Sequence, residues 1–191
     1  MQWTNTNKGY GIIARLFHGV MSVMLILQLG IGIWMVSLPN EMKSSIYGNH
    51  KTAGLILLSL VGMRLLWRMG NKLPELLNTP KWQIFAARSL HRSFYIMMII
   101  LPVTGWMMST AAGYLPSFPA LGKVAFPFFT QEGFCVLGQC TDTKVIGSMM
   151  HDGHMILGWL MVIMITVHIS IAVYHLYLKD GIFERIFLDR T

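Results

Sequence analysis

The chain has 191 residues, of which 54% are hydrophobic and only 12% are charged. Its positive mean hydropathy is unusual for a water-soluble domain, so the composition favours residence in a lipid bilayer. The net charge of +7 does not indicate nucleic-acid binding, because the basic residues lie in short connections beside apolar stretches, where they set membrane orientation.

Four apolar stretches are long enough to cross a bilayer, which takes about 20 residues of helix. They cover residues 12–36, 46–67, 93–112 and 155–178. The first is too long for the core of a signal peptide and has no small-residue cleavage site after it, so we interpret it as a retained helix. The sequence predicts one all-α domain over residues 1–191, a transmembrane four-helix bundle with a long external loop over residues 113–150.

The distribution of basic residues predicts the orientation of the bundle. Eleven of the fifteen Lys and Arg residues fall on the side of the two termini, and the cytoplasmic side of a membrane protein is the side that accumulates these residues. We therefore expect cytoplasmic N- and C-termini. The eleven are Lys8, Arg15, Arg64, Arg68, Lys72, Lys81, Arg88, Arg92, Lys179, Arg185 and Arg190, and the other four are Lys43, Lys51, Lys123 and Lys144.

The only two cysteines, Cys135 and Cys140, both lie in the 113–150 loop, which this orientation places outside the cytoplasm. Disulfides form in that compartment, so we favour a small structural disulfide. A metal-binding pair or two free thiols is the alternative, although nothing else nearby resembles a zinc site.

Seven histidines are unexpected in so apolar a chain, because ionisable side chains in the hydrocarbon region are costly and usually functional. His154 and His168 lie in the fourth span, about 21 Å apart along one helix and on nearly the same face. His18 lies early in the first span, towards the termini, and His50 begins the second, towards the loop. Depth in the membrane therefore pairs His18 with His168, and His50 with His154.

Two imidazoles that face each other from separate helices suit the two axial positions of a haem iron inside a bundle. A single intramembrane histidine is as often a packed, hydrogen-bonded residue, but four at matched depths favour cofactor ligation. Zinc is the rival, yet zinc prefers a tetrahedral cluster at one depth with Cys or carboxylate ligands. The pattern therefore predicts two haems, each held by one histidine pair.

Further polar residues lie at the predicted cytoplasmic end of the spans. His91, Arg92 and His175 could serve a quinone or a haem propionate there, and contact with lipid phosphate is the alternative for His91. Arg64 and Arg68 could anchor propionates, or could only extend their charged ends towards the membrane surface.

At the opposite end, His151 and Lys51 are candidates for an outer-side donor site. The alternative for the 151–152 pair is that Asp152 simply caps the fourth helix. Together with His151, the three lysines Lys51, Lys123 and Lys144 could attract a small anion, but four such dispersed bases make only a modest field.

Motifs in all four spans carry a resemblance to a known family. They are residues 15–18 (RLFH), 50–54 (HKTAG), 64–68 (RLLWR), 91–95 (HRSFY), 101–106 (LPVTGW) and the histidines 154, 168 and 175. Over nearly its whole length the chain resembles the bacterial cytochrome b561 family, small four-helix dihaem proteins of the cytoplasmic membrane. The resemblance implies axial ligation by His18, His50, His154 and His168, the set that spacing and depth also predict. The chain departs from the family where Gly19 follows the first ligand and where Leu176 replaces the second histidine of a doublet.

The resemblance implies a multi-pass protein of the bacterial cytoplasmic (inner) membrane that binds two haem b groups. It would act as an oxidoreductase that transfers electrons from an outer-side donor to membrane quinone, and one known type in the family uses superoxide as that donor. A second interpretation is an electron-transfer subunit for a periplasmic protein partner, with no substrate site of its own. An exposed aromatic surface on the 113–150 loop would favour docking, and a loop folded over the outer haem would favour a lid.

A haem-free membrane protein or transporter is the third interpretation. Broken helices at mid-membrane would favour it, but Pro102 is the only proline deep in a predicted span. The sequence leaves open whether the protein forms a homodimer, and beyond membrane lipid, quinone and the donor it indicates no partner.

Overall fold

A computed structural model of the chain describes residues 2–7, 9–74, 80–130 and 132–179. Within these ranges the chain forms four long helices, each long and apolar enough to cross a membrane. This confirms the predicted transmembrane four-helix bundle. Lys8, Arg185 and Arg190, which contributed to the predicted orientation, lie outside the described residues. The helices are α1 (Ile12–Met35), α2 (Asn40–Met69), α3 (Lys81–Ala111) and α4 (Thr143–Leu178).

Three helices begin well before the apolar spans that the sequence predicts. A proline precedes the first residue of both α2 and α3, namely Pro39 and Pro80. The start of α4 is capped by Asp142, whose carboxylate accepts a hydrogen bond from the backbone N–H of Lys144 at 2.6 Å. Residues 143–150 of the predicted loop are therefore helical, and the expectation that Asp152 caps the fourth helix is wrong.

Consecutive helices pack against each other, whereas α4 makes hardly any close backbone contact with α1 or α2. We call the end where α1 and α3 begin the terminal side, and the opposite end the loop side. An apolar core fills the middle of the bundle between the two ends, and it separates the polar groups near each membrane surface. The core consists of Met21, Leu25, Leu57, Val61, Met98, Leu101 and Met161.

The connection between α3 and α4 contains five short strands that the sequence analysis did not anticipate. They form two small antiparallel sheets, so the fold remains all-α in its spanning part. The second sheet ends in a hairpin whose turn holds Leu137 and Gly138 at positive φ, as a two-residue turn of this kind requires. The strands are β1 (Ser117–Phe118), β2 (Gly122–Lys123), β3 (Phe129–Thr130), β4 (Gly133–Val136) and β5 (Gln139–Thr141).

The hairpin of β4 and β5 is closed by a disulfide. Cys135 and Cys140 are directly opposite each other in the sheet, and their sulfur atoms are bonded. The cross-link ties together the two strands that carry the exposed turn at Leu137, so it restricts the movement of the loop.

Hydrogen bonds fasten the rest of this loop to the loop side of the bundle. The indole N–H of Trp106 donates to the carbonyl of Val124 at 2.9 Å, and the backbone N–H of Phe126 donates to the hydroxyl of Thr110 at 2.9 Å. The ammonium group of Lys51 donates to the carbonyl of Tyr114 at 3.1 Å. The loop is thus anchored on α2 and α3.

Candidate functional site

Two histidine rings face each other near the loop side of the bundle. His50 on α2 and His154 on α4 have ring centroids 6.3 Å apart, with planes nearly perpendicular at 87°. The two rings meet between α2 and α4, whose backbones do not pack closely against each other. Each ring therefore projects into a space between helices.

Glycines on the other two helices make room for these rings. A Cβ atom at Gly105 would lie 2.9 Å from Cε1 of His154, and one at Gly32 would lie 3.3 Å from Cε1 of His50. Real side-chain contacts are rarely so short, so a larger residue at either position would displace the imidazole. Among the many glycines of the spans, these two have a clear steric role at the histidines.

Hydrogen bonds set the orientation of the His154 ring and the position of the His50 backbone. The Nδ1 atom of His154 lies 3.0 Å from the carbonyl of Leu101 and 3.2 Å from the hydroxyl of Thr104. These contacts favour a proton on Nδ1 and leave Nε2 as the basic nitrogen. On the other side, the side-chain amide of Gln28 donates to the backbone carbonyl of His50 at 2.8 Å, which holds α2 against α1 at this level.

The Nδ1 atom of His50 is buried and has no hydrogen-bond partner within the described residues. Buried polar nitrogens are nearly always paired, so an unpaired one beside a cavity indicates a missing ligand or bound water. The cavity between His50 and His154 has a volume of about 310 Å³ and is lined by all four helices. Its walls are mainly apolar, and they include Leu29, Pro102 and Trp159.

A second group of histidines lies near the terminal side. The ring centroids of His18 on α1 and His168 on α4 are 6.4 Å apart, and Phe94 packs edge-on against His168 at 5.3 Å. His91 on α3 also approaches His168, with centroids 5.8 Å apart. Its Nδ1 lies 2.7 Å from the carbonyl of Ala87, so the proton lies on that nitrogen and Nε2 is left basic.

The cavity beside this group is smaller, at about 100 Å³, and it continues the apolar surface of the core. His18, His91, His168 and Arg64 line it together with core residues. Leu25 and Met98 line both this cavity and the one near the loop side. A thin layer of apolar side chains is therefore what separates the two histidine groups.

A third cavity of about 60 Å³ adjoins His18 on the terminal side and is rich in arginine. The guanidinium groups of Arg64 and Arg68 lie 5.6 Å and 5.4 Å from the centre of the Tyr95 ring. The indole N–H of Trp67 is buried there without an acceptor among the described residues. Guanidinium groups and an unused donor suit a carboxylate or carbonyl oxygen. The cavity is lined by Asn5, Tyr10, Ala14, Arg15, His18, Arg64, Trp67, Arg68, Leu73, His91 and Tyr95.

The family model for prokaryotic cytochrome b561 matches residues 9–188. The chain belongs to this family. It is also similar to cytochrome b561 homolog 2 of Escherichia coli (strain K12), with 26% identity over 97% of this chain and 94% of the relative. The resemblance that the motifs suggest is confirmed, and the protein is a multi-pass membrane b-type cytochrome that binds haem b and takes part in electron transfer.

The histidine pairs of this cytochrome are spaced as two ligands of one metal ion would be. A metal bound at about 2 Å by one nitrogen of each ring places the two ring centroids roughly 6 Å apart. Both pairs have this separation, at 6.3 Å and 6.4 Å. The loop-side cavity is also large enough for a sizeable ligand, whereas side chains around the smaller terminal-side cavity must move to admit a macrocycle.

The structure separates the candidate residues at the terminal side into two sets. His91, Arg64 and Arg68 line the cavities beside His18. Arg92 instead faces a separate surface groove. His175 packs beside Tyr174, with ring centroids 6.0 Å apart, and lines neither of these cavities.

The outer-side candidates of the cytochrome do not converge on the loop-side cavity. His151 is exposed, and its Nδ1 lies 3.2 Å from the carboxylate of Asp152. The ammonium group of Lys51 donates a hydrogen bond to the carbonyl of Tyr114 and lies 5.4 Å from the centre of the Tyr114 ring. Neither lines the cavity between His50 and His154.

Apart from Phe128, the phenylalanines of the loop form neither an open docking surface nor a lid. Phe126 packs against Trp106, Phe129 and Phe134, so most of this aromatic surface is partly buried. Phe128 is the exception, with 62% of its surface exposed. No described residue of the loop lines the loop-side cavity.

The sequence assigned no individual role to Gln28, Thr104, Trp67 and Tyr95, although the last three lie in the family motifs. Gln28 and Thr104 are buried polar residues in the middle of apolar helices, and polar side chains at such positions are costly enough to attract attention. Trp67 and Tyr95 carry no such signal, because aromatic residues near helix ends are ordinary in membrane proteins.

If His154 is a haem ligand, we expect Thr104→Val to weaken haem retention, because the hydroxyl lies 3.2 Å from the Nδ1 atom of His154 and helps to orient its ring. Loss of such an outer contact costs roughly tenfold or more in metal affinity. The measurement is the rate of haem transfer to a haem-scavenging protein. Thr166→Val is the matched control, since that hydroxyl donates only to Val162 of its own helix. Equal rates in the two variants would contradict an orienting role for Thr104.

Proposed function

We propose that this cytochrome holds two haem b groups, one between His50 and His154 and one between His18 and His168, and carries single electrons from a loop-side donor to membrane quinone. The observation that supports this most strongly is the presence of two imidazole pairs, with centroids 6.3 Å and 6.4 Å apart, at two levels of α4. The orientation follows the predicted charge distribution, with the termini cytoplasmic and the protein in the bacterial inner membrane.

Haem supplies a one-electron carrier when it is bound, and the chain supplies its orientation and surroundings. The carbonyl of Leu101 and the hydroxyl of Thr104 fix the His154 ring. The apolar core residues exclude water between the two sites. Leu25 and Met98 line both cavities, so few side chains lie between them. Such a path suits electron transfer across the bilayer without an aqueous leak.

The arginine-rich cavity beside His18 is the proposed site for a quinone head group or for haem propionates, and at about 60 Å³ its side chains would have to move to admit a whole quinone ring. Arg64 and Arg68 offer positive charge, and the unused N–H of Trp67 offers a donor to an oxygen. His91 lies between this cavity and His168, so it can deliver a proton where an electron arrives. Arg92 and His175 are not part of this proposed site.

A second candidate function is electron transfer for a periplasmic protein partner. The exposed side chains of Phe128, Leu121 and Leu137 on the loop favour it, since they give a partner apolar surface to contact. For a small anionic donor such as superoxide, the predicted bases are Lys51, Lys123, Lys144 and His151. Lys51 already donates a hydrogen bond to the carbonyl of Tyr114, and His151 lies 3.2 Å from the carboxylate of Asp152.

The function is tested with sealed vesicles that contain the cytochrome and trapped ferricyanide. After addition of an impermeant external reductant, the trapped ferricyanide should be reduced faster than in empty vesicles. The control is the double variant His154→Ala/His168→Ala, which lacks one proposed ligand of each pair and should behave as empty vesicles do. Equal rates for this variant and the wild type would refute transfer through the two histidine pairs. A trapped dye reports leakage of the vesicles.

A further inference from the structure

A groove on the outside of α3 has no role in the proposed electron path. It is lined by residues of the first three turns of the helix and has a volume of about 390 Å³. These residues recur every three or four positions, which places them on one face of the helix. The lining consists of Lys81, Ile84, Phe85, Arg88, Ser89 and Arg92.

The groove is strongly basic. Lys81, Arg88 and Arg92 contribute three positive charges, and α3 contains no acidic residue anywhere along residues 81–111. In the described part of the chain, none of the three forms an ion pair. Lys81 is the first residue of the helix, where the helix dipole adds to the positive potential. Positive charge that no described acidic residue neutralises favours an anionic ligand.

The groove is also apolar and lies where α3 enters the membrane. Phe85 and its neighbour Trp82 are 72% and 69% exposed, and aromatic side chains concentrate at the boundary between lipid and water. The predicted apolar span of α3 begins at Ser93, directly after Arg92. The basic groups are therefore at the level of lipid head groups, while Ile84 and Phe85 give apolar surface for the upper part of an acyl chain.

We propose that this groove binds the phosphate group of an anionic membrane phospholipid. Arginine forks and a lysine ammonium group match phosphate oxygens, and basic pockets next to membrane helices bind such head groups. Free phosphate has the same charge but nothing to cover Ile84 and Phe85. A zwitterionic lipid has the chains but no net charge for the three basic side chains.

The test uses the purified haem-containing cytochrome in detergent and native mass spectrometry. The probes are phosphatidylglycerol and phosphatidylcholine, and the variant is Lys81→Gln/Arg88→Gln, which leaves Arg92 in place. The wild type should bind phosphatidylglycerol more tightly than phosphatidylcholine. The variant should lose at least about fivefold in affinity for phosphatidylglycerol alone. An unchanged haem spectrum verifies that the variant is folded.

The charge-matched control is Lys123→Gln/Lys144→Gln, which removes two basic residues from the loop side. This control should bind phosphatidylglycerol as the wild type does. Equal binding of the two lipids by the wild type, or an equal loss in the control, would overturn the proposal. Displacement of bound phosphatidylglycerol by millimolar inorganic phosphate would show that the groove recognises free phosphate and not lipid.

Discussion

Replacing His154 by alanine is expected to remove one haem from the cytochrome and to leave a second haem bound. His154 faces His50 at a centroid separation of 6.3 Å, and alanine offers no nitrogen to a metal. His168, which faces His18 near the other end of α4, is too far along the helix to replace it. His168→Ala should therefore remove the other haem. The measurement is the haem content per chain together with a redox titration of each variant.

His151→Ala is the matched control for this experiment. It removes a histidine only three residues from His154, but one that is exposed and paired with Asp152. The control should keep both haems. If His154→Ala and His168→Ala each retained the full haem content, the proposed ligand pairs would be wrong. Loss of both haems from either variant would instead indicate that the two sites do not fill independently.

The terminal-side pair needs one further comparison, because His168 has two imidazole neighbours. The centroid of His91 lies 5.8 Å away, closer than that of His18 at 6.4 Å. We expect His18→Ala to remove the haem and His91→Ala to retain it, since His18 is the histidine that both depth and the family motif assign to this site. The reverse result would make His91 the ligand.

The spanning part of this fold follows directly from the sequence. Apolar runs longer than a bilayer is thick leave few alternatives to membrane helices, and the four runs correspond to α1 to α4. The ends of the helices were harder to predict. Helix α3 continues through the charged segment from Lys81 to Arg92, because backbone hydrogen bonds continue a helix wherever nothing interrupts it. Hydropathy therefore finds the membrane boundary but not the end of the helix.

The sequence predicts how deep each candidate residue lies in the membrane, but not the direction in which its side chain points. Counting residues along the spans matches His18 with His168 and His50 with His154, and in the structure these rings do face each other. The same counting treats His91 and Arg92 alike, yet His91 faces the cavities and Arg92 the outer groove. Adjacent residues on a helix point about 100° apart. The rotation of α3, set by its packing against α2 and α4, decides which residue turns inward.

The sequence also does not predict contacts that depend on how the helices pack. The spans contain many glycines, and only their neighbours in space show that Gly105 and Gly32 lie against histidine rings. The roles of Thr104 and Gln28 likewise depend on which helix each one faces. The short strands between α3 and α4 have too little regular alternation to be detected.

His91→Gln is expected to slow the reduction of quinone by at least about tenfold while leaving both haems bound. Reduction of a quinone to a quinol takes up protons as well as electrons, so the site needs a group that can exchange a proton. His91 lines the arginine-rich cavity, and its ring lies 5.8 Å from that of His168. Glutamine preserves hydrogen bonding but cannot carry a proton at neutral pH.

The measurement is the rate at which a soluble short-chain quinone reoxidises the reduced cytochrome in a stopped-flow instrument. His175→Gln is the matched control, because on sequence grounds His175 is an equal candidate. In the structure it packs beside Tyr174 and away from the cavity. A decrease confined to His91→Gln supports a quinone site between Arg64, Arg68 and His91, on the terminal side. If instead only the control slowed the reaction, the quinone would bind beside His175 on α4, and the arginine-rich cavity would be left to hold haem propionates.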